Sequence, residues 1–568
     1  MIMKIATDNM PLDTFLVDKA SKHFQNGNYQ EAKKLLLEVP LDADVSHRLA
    51  VICFIMKQSE DTEKYCRSLL TLRPDFLEGY KLLILALVSQ NKNEELLKTY
   101  KEVTEKYPKD ENILHCYFWT LNQLCYWGEY EELSSRLDVF SEEQKTGKLA
   151  ESPFENLARC SDEDKNYAVA KSRSREIFKH TFGFDRPQTK AITIGYLSDS
   201  FRNYPSAHLT IDLYKQHNRA DFKVNCYSFG EDDESYYRDK IKSDCDNFVD
   251  IRRMSDRDAA KRISSDGVDI LVDMKGYTEN HRASISAMRP APIMVRWLGI
   301  AGTTASRFFD YIITDKIVTP PDAQEYYSEK FVYMPDCYQI NSRNQRISDK
   351  EYSRADFGLP EKSIVFCSFS QGYKIEPVMF NVWMNILRQV PGSVLWLMAE
   401  GVKTENLKAE ASVRGVDPRR LIFAECLPKE EHLKRLELAD IAMDTRIVNG
   451  AITTSDALYA GVPLITLLGS NFSSRMSASI LTVFGMPELI TGNISQYEKK
   501  LVELAVNPDL LLKTKECVLA NRLTSPLFDT PRYTKNIEKG YKEMWEIYMN
   551  GELPRQIEIK EKGFRICR

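Results

Sequence analysis

Three prolines, Pro40, Pro74 and Pro108, stand 34 residues apart. That interval is the length of a tetratricopeptide helix pair. A chain punctuated by it folds as stacked helical hairpins, because one pair cannot bury its own apolar face. From residue 12 to about 180, Gly is sparse and β-branched runs are few. The turn before a second helix recurs as Gly27-Asn28-Tyr29-Gln30-Glu31-Ala32, Asn91-Lys92-Asn93-Glu94-Glu95-Leu96 and Gly128-Glu129-Tyr130-Glu131-Glu132-Leu133. These turns are not strictly 34 residues apart, and the unit around Gln58 departs from the pattern, so an irregular helical bundle is the alternative within the same all-helical class. Residues 1–185 are assigned to this helical repeat domain.

The pattern changes after the polar stretch 183–190 (GFDRPQTK). Short apolar runs then alternate with helical segments. One set lies at 192–198, 222–229, 269–274, 294–299, 311–315 and 331–334, and a second at 364–369, 394–398, 421–424, 441–444 and 463–468. Strands that are apolar throughout and separated by helices belong to parallel sheets covered on both faces. The expected fold is α followed by α/β. Two Rossmann-like lobes occupy 186–350 and 351–530, joined near 342–359, and a C-terminal helix and tail occupy 531–568. Such sheets bind ligands beyond the carboxyl ends of their strands, which points to the cleft between the lobes. Neither lobe opens with GxGxxG and no GxxxxGK[ST] occurs, which argues against a dinucleotide-dependent enzyme and a P-loop NTPase.

Charge and cysteine usage narrow the field further. The 77 basic and 82 acidic residues leave a net charge of −5, so no general electrostatic hold on nucleic acid or an anionic membrane is expected. No apolar run reaches the roughly 18 residues of a membrane span, and the N-terminus lacks the pattern of a signal peptide. The 12 cysteines form no CxxC pair or Cys/His cluster, as expected of reduced thiols in a cytoplasm. Asp-x-Asp pairs at Asp244/Asp246 and Asp256/Asp258 lie in charged helical segments and read as surface residues, so no metal site is expected.

Four stretches of the second lobe carry the chemistry. Lys374, with Gln371 beside it, follows a buried strand, where a compact cation can meet phosphate. Lys429, His432 and Arg435 recur on one helical face after Pro428, a good helix start. The segment from Asn449 to Leu458 brings Thr453, Thr454 and Asp456 to a helix start suited to a diphosphate, with Asp456 able to accept from ribose hydroxyls. Arg475 follows Ser473 and Ser474 and can be structural. In the first lobe, Asp199, Tyr204 and His208 follow the first strand, and the run from Arg289 to Thr304 contains Pro292, Gly299, Gly302 and Thr303.

Taken in order, the segments RPAPIMVRWLGIAGTT, DYIITD, YSEKFVYMPDCYQ, FCSFSQGYKIEP, SVLWLM, PKEEHLKRLELADIAMDT, NGAITTSDALYAGVPLIT, SSRMSASIL and SPLFDTPRYT closely resemble the catalytic region of the protein O-GlcNAc transferases, from about Ile192 to Met549. The helical repeats in front fit the same family. The resemblance implies a two-lobe GT-B enzyme of inverting, metal-independent chemistry. Its donor substrate would be UDP-GlcNAc, with no cofactor, and its acceptor a protein Ser or Thr reached through the repeats and the cleft. It places Gln371 and Lys374 on the diphosphate, Lys429, His432 and Arg435 at and behind the uridine, Asp456 on the ribose, and Thr453 and Thr454 on the phosphates. Pro292, Gly299, Gly302 and Thr303 would line the acceptor side.

This chain departs from the family at two points. Ala451-Ile452-Thr453-Thr454 stands where relatives carry His-Thr-Thr or Gly-Thr-Thr-Thr, and Tyr204 stands where they have a His before Pro. The proton acceptor is therefore open among His208, Asp199 and Tyr204, with Asp273 weaker. The long insert of animal members between the lobes is missing, as in a bacterial-type protein, for which flagellin or another surface protein is an acceptor by analogy. The competing readings are a protein fucosyl- or glucosyltransferase of the same superfamily, a small-molecule or polysaccharide glycosyltransferase, and an inactive repeat scaffold.

Overall fold

The computed structural model describes residues 12–143, 149–177, 182–183 and 191–561. The boundary stretch expected at 183–190 lies, Gly183 apart, outside the described residues. The chain divides into two compact units, 1–121 and 122–568.

The first unit is helical throughout. Its hairpins are Leu12–Gln25 with Tyr29–Leu36, Ala43–Ile55 with Ser59–Leu72, and Leu77–Ser89 with Asn93–Lys106, and Glu111–Gln123 opens a further one. The first helices at Ala43, Leu77 and Glu111 start 34 residues apart, each three residues after one of the periodic prolines. Asp42 and Asp110 cap two of them, accepting from the amides of Val45 at 2.8 Å and Ile113 at 3.0 Å. The turn between the helices of a pair needs a left-handed residue, supplied by Gly27, Lys57, Asn91 and Cys125, the last three again 34 apart. The unit around Gln58 is thus a full hairpin. Its turn was obscured because Lys57 takes a conformation usually left to Gly or Asn. Leu49, Cys53, Cys66, Leu69, Leu87 and Val103 are fully buried between the helices.

In the second unit, helices Tyr130–Glu143, Pro153–Arg159 and Glu163–Ile177 precede two parallel sheets. The sheets therefore share a unit with helices that the sequence places in the repeat domain. The first sheet contains β1 (Ile192–Ser198), β2 (Phe222–Ser228), β3 (Asn247–Asp250), β4 (Ile270–Asp273), β5 (Ile293–Arg296), β6 (Tyr311–Thr314) and β7 (Lys330–Tyr333). The second contains β8 (Val365–Ser368), β9 (Val394–Met398), β10 (Leu421–Ala424), β11 (Ile441–Met443), β12 (Leu464–Leu467) and β13 (Ile490–Thr491). β14 (Ile557–Glu558) returns to the first sheet beside β7.

The strand orders are β14-β7-β6-β5-β4-β1-β2-β3 and β10-β9-β8-β11-β12-β13. Each sheet reverses direction at one point, between β1 and β4 in the first and between β8 and β11 in the second. Loops leaving the carboxyl ends of those four strands border the crevices where doubly wound sheets bind ligands. Helix Thr530–Met549 packs Tyr533, Ile537, Tyr541, Met544 and Ile547 into the first lobe's core, and so ties the end of the chain to the lobe it left. The sequence does not reveal β3, β13 and β14, which are two to four residues long and carry no apolar run.

Candidate active site

In the second lobe the chain leaves β8 through Phe369 and Ser370 into a short 3-10 turn, Gly372–Lys374, and then helix Pro377–Gln389. Gln371 sits exposed at the head of that turn. Lys374 reaches back and donates from Nζ to the carbonyl of Asn449 at 3.0 Å. Asn449 lies in the loop after β11, just before helix Ile452–Tyr459. The N-cap of that helix, Ala451, offers no side-chain acceptor, so the first amides keep their donors for a ligand. The lysine and the helix start therefore converge on the switch point between β8 and β11. Burial pushes the Lys374 ammonium down to about 8, against the pull of the Asp444 carboxylate.

Asp444 organises this loop from beneath. It is 2% exposed, and its Oδ1 accepts from the amides of Gly450 at 2.7 Å and Thr445 at 2.9 Å. Its Oδ2 accepts from the Thr466 hydroxyl at 2.6 Å. Asp444→Asn keeps the size but turns one acceptor into a donor facing those groups, at a cost of about 1–3 kcal/mol. The expected outcome is a lower melting temperature. The alkaline limb of kcat/KM should also move to lower pH, because Lys374 loses the anion that holds its proton. An unshifted limb would separate Asp444 from Lys374.

The base-side wall of the pocket comes from helix Lys429–Leu436. His432 meets Phe369 edge-on at 5.1 Å, and its Nδ1 accepts from Arg435 Nε at 3.1 Å. Burial, with Arg435 and Lys429 nearby, pushes the imidazole down to about 3. The ring is neutral and carries its proton on Nε2. Arg435 is itself 1% exposed, lies over the Phe369 ring at 4.9 Å and donates to the Glu425 carbonyl, so it acts through His432 rather than on a ligand. Lys429 forms a buried ion pair with Asp456. Ser368, Phe369, Ser370, His432, Asp444 and Thr453 line a cavity of about 330 Å³, part of it open to solvent. Thr454 faces away from it, with its hydroxyl on Ser477 at 2.7 Å, and so can offer a phosphate only its amide. Arg475 donates to the carbonyls of Ile317 and Gly469, one from each lobe, and is structural.

The first lobe brings its β1 and β4 loops to the cleft. Asp199 is buried, bonded to Lys275 Nζ at 2.6 Å and to the Ser200 hydroxyl at 2.6 Å. Asp273 caps the turn after β4, accepting from the amides of Lys275 and Gly276 and from Ser286, and has no free role. His208 hydrogen-bonds Asn203 at 2.8 Å and packs on Tyr237. Burial and the Lys429 charge push its imidazole down to about 3, which makes it a poor proton acceptor near neutrality. Tyr204 is 37% exposed, with the Arg202 guanidinium 4.9 Å and the Lys275 ammonium 5.7 Å from its ring centre. The sequence reading missed Lys275, although its place directly beyond a strand end was the available signal.

The acceptor-side assignments divide. Gly299 is exposed in a left-handed turn so close to the β4 loop that a Cβ would lie 2.6 Å from the Lys275 carbonyl. Gly302 is buried against Leu157. Thr303 is also buried, its hydroxyl on Glu329 at 2.7 Å within a cluster that holds Thr304 and Arg296. Pro292 corrects the expectation. It precedes β5, at the amino end of a parallel strand, opposite the carboxyl edge that faces the cleft. The Asp-x-Asp residues are spent on ordinary surface contacts, Asp244 with Lys240, Asp246 with Arg219 and Asp256 with Arg282, while Asp258 bonds Ser255. Among the described residues no three His, Cys, Asp or Glu side chains are grouped to hold a metal ion, and no helix is long and apolar enough to cross a membrane.

The sequence model of glycosyl transferase family 41 matches residues 161–351 and 347–537. A probable UDP-N-acetylglucosamine–peptide N-acetylglucosaminyltransferase (SEC) of Arabidopsis thaliana is 39% identical over 66% of this chain and 39% of its own length. A UDP-N-acetylglucosamine–peptide N-acetylglucosaminyltransferase of Caenorhabditis elegans is 27% identical over 75% of this chain and 48% of its own. The chain thus spans less than half the length of these two relatives. In fold it is similar to a solved mutant of the Thermobaculum terrenum O-GlcNAc transferase, with a TM-score of 0.68 at 21% identity, over 95% of this chain and 98% of that one. That likeness shows helical repeats followed by two GT-B lobes.

Proposed function

The chain belongs to glycosyl transferase family 41, and from that premise we propose that it moves GlcNAc from UDP-GlcNAc to a Ser or Thr hydroxyl of a protein. The observation that carries the proposal is the meeting of Lys374 with the uncapped start of helix Ile452–Tyr459 at the β8/β11 switch point. A diphosphate seated there would meet one ammonium and several amides.

The uracil would lie against Phe369, with His432 Nε2–H presented to a base carbonyl, and the ribose near Lys429 and Asp456. The acceptor oxygen attacks the anomeric carbon from the side opposite UDP. The C1–O bond to the β-phosphate breaks, UDP carries away the electron pair, and the hydroxyl proton passes to a base. Negative charge grows on the β-phosphate, where preset donors help most. Lys374 stands where a divalent cation would otherwise sit, and its charge would repel one. EDTA should therefore leave the rate unchanged; restoration of a lost rate by Mg²⁺ or Mn²⁺ would overturn the metal-free reading.

A protein acceptor is supported by the helical hairpins of the first unit, since such stacks present extended surfaces to chains. Flagellin or another surface protein is the acceptor class to try first. The reducing cytoplasm suits the described cysteines, none of which is paired. The test is intact-mass analysis of host proteins incubated with the enzyme and labelled UDP-GlcNAc. Addition of one N-acetylhexosamine, removed by β-elimination, supports the proposal. Transfer only from another sugar nucleotide would replace the donor, and no transfer from any would return the chain to a binding role.

A further inference from the structure

The Lys374 loop is held from outside as well as from within. Its two outward carbonyls are both taken by the hairpin turn at 122–125. Asn122 Nδ2 donates to the Tyr373 carbonyl at 3.2 Å, and the Cys125 thiol donates to the Gly372 carbonyl at 3.7 Å. The fit is close, since a Cβ on Gly372 would lie 2.6 Å from the Gln123 carbonyl, so this position has to be Gly. Asn406 anchors the same turn to the lobe through the Leu124 carbonyl at 2.9 Å. Phe154, from helix Pro153–Arg159, packs edge-on against the Tyr373 ring at 5.5 Å. Asn122 is 1% exposed, so its bond is made out of water.

We infer that this turn and Phe154 form a clamp that sets the position of the Lys374 ammonium, with Asn122 and Phe154 as positioning residues for sugar transfer. The inference rests on the placement of Lys374 at the donor diphosphate. The turn is the one at Cys125, in register with the left-handed turns at Lys57 and Asn91, so the 34-residue series ends on the loop that carries the lysine. On one side the loop is fixed to Asn449 and on the other to the turn, and the lysine between them is kept dry. Without the outer fixing, the loop would drift and water would reach the ammonium. Misplacement of a reacting group by about 1 Å can cost up to about a hundredfold in rate.

The experiment uses the full chain and measures kcat and kcat/KM for UDP-GlcNAc from pH 6 to 10 (a range on the order of 2 units either side of the depressed lysine). The variants are Asn122→Ala, Asn122→Asp, Phe154→Ala, Phe154→Tyr and Lys374→Ala, each accepted only if its melting curve matches wild type. The wild-type profile falls above about pH 8, where Lys374 loses its charge. Asn122→Ala, Asn122→Asp and Phe154→Ala are expected to lower kcat by about tenfold and to move the limb to higher pH, while Phe154→Tyr behaves as wild type. Wild-type kcat and limb in the Asn122 and Phe154→Ala variants, beside an inactive Lys374→Ala, would overturn the clamp and leave the lysine's role standing. Lost activity with an unmoved limb would also overturn it, by showing a general structural role. An active Lys374→Ala would instead remove the reading on which the clamp rests. If Asn122→Ala does not fold, Asn122→Asp, which keeps the shape and removes the donor, decides between these outcomes.

Discussion

Lys374→Ala is expected to lower kcat for sugar transfer by about 10²–10³-fold, the usual loss when one preset donor is taken from a developing anion. The substitution removes the only charge that the β8 loop brings to the switch point, leaving the helix amides to hold the leaving diphosphate. It should not unfold the protein. The ammonium's pKa is depressed to about 8 from 10.5, so the folded state at neutral pH carries a proton that the surroundings oppose. The sign follows directly. Below about pH 8 the full cost of holding that charge is present, and it fades as pH rises through the window between the two values. Removing the group relieves the cost, offset by the lost bond to Asn449, and the melting temperature at pH 7 should be unchanged or higher. In the wild type, kcat/KM should fall as pH rises through about 8. Near-normal turnover of the variant by radiolabelled transfer would take Lys374 out of the reaction.

Why Lys374 was legible and its support was not comes down to distance along the chain. A lysine directly after a buried strand is visible in any reading of the sequence, as are the apolar strands themselves and the prolines that mark the hairpins. Both switch points follow from the strand order alone. The groups that hold Lys374 lie far from it in sequence. Asn122 is 251 residues from Tyr373, and its amide bond shows only in the fold. The Asp199–Lys275 pair spans 76 residues. Arg435 reads as one of three residues on a helical face, yet it turns inward to fix His432, because Phe369 and Trp396 offer it aromatic faces that the linear sequence cannot place. Pro292 was misplaced for the same reason. A segment that crosses a parallel strand runs from one edge of the sheet to the other, and a motif that spans the strand does not say which of its ends faces the cleft.

The second large effect is expected at Tyr204. Among the side chains open for the proton, Asp199 is committed to Lys275, His208 is held neutral with an imidazole near 3, and Asp273 is fully used as a turn cap. Tyr204 is the most exposed of them, and two cations over its ring hold it at the edge of the first lobe. It also stands at the position where the resemblance places a His. Its phenol oxygen would take up the acceptor's proton, directly or through one water. Tyr204→Phe removes that oxygen and keeps the ring, so both cations retain their partner and the loop keeps its shape. We expect kcat to fall by about a hundredfold with the KM for UDP-GlcNAc unchanged, since Tyr204 belongs to the lobe opposite the nucleotide. The same variant should still hydrolyse UDP-GlcNAc slowly, because water can shed its proton to bulk solvent while a buried serine hydroxyl cannot. A loss shared equally by transfer and hydrolysis would place Tyr204 on the donor instead, and an unchanged kcat would return the proton to a water path set up by Lys275 and Asp199.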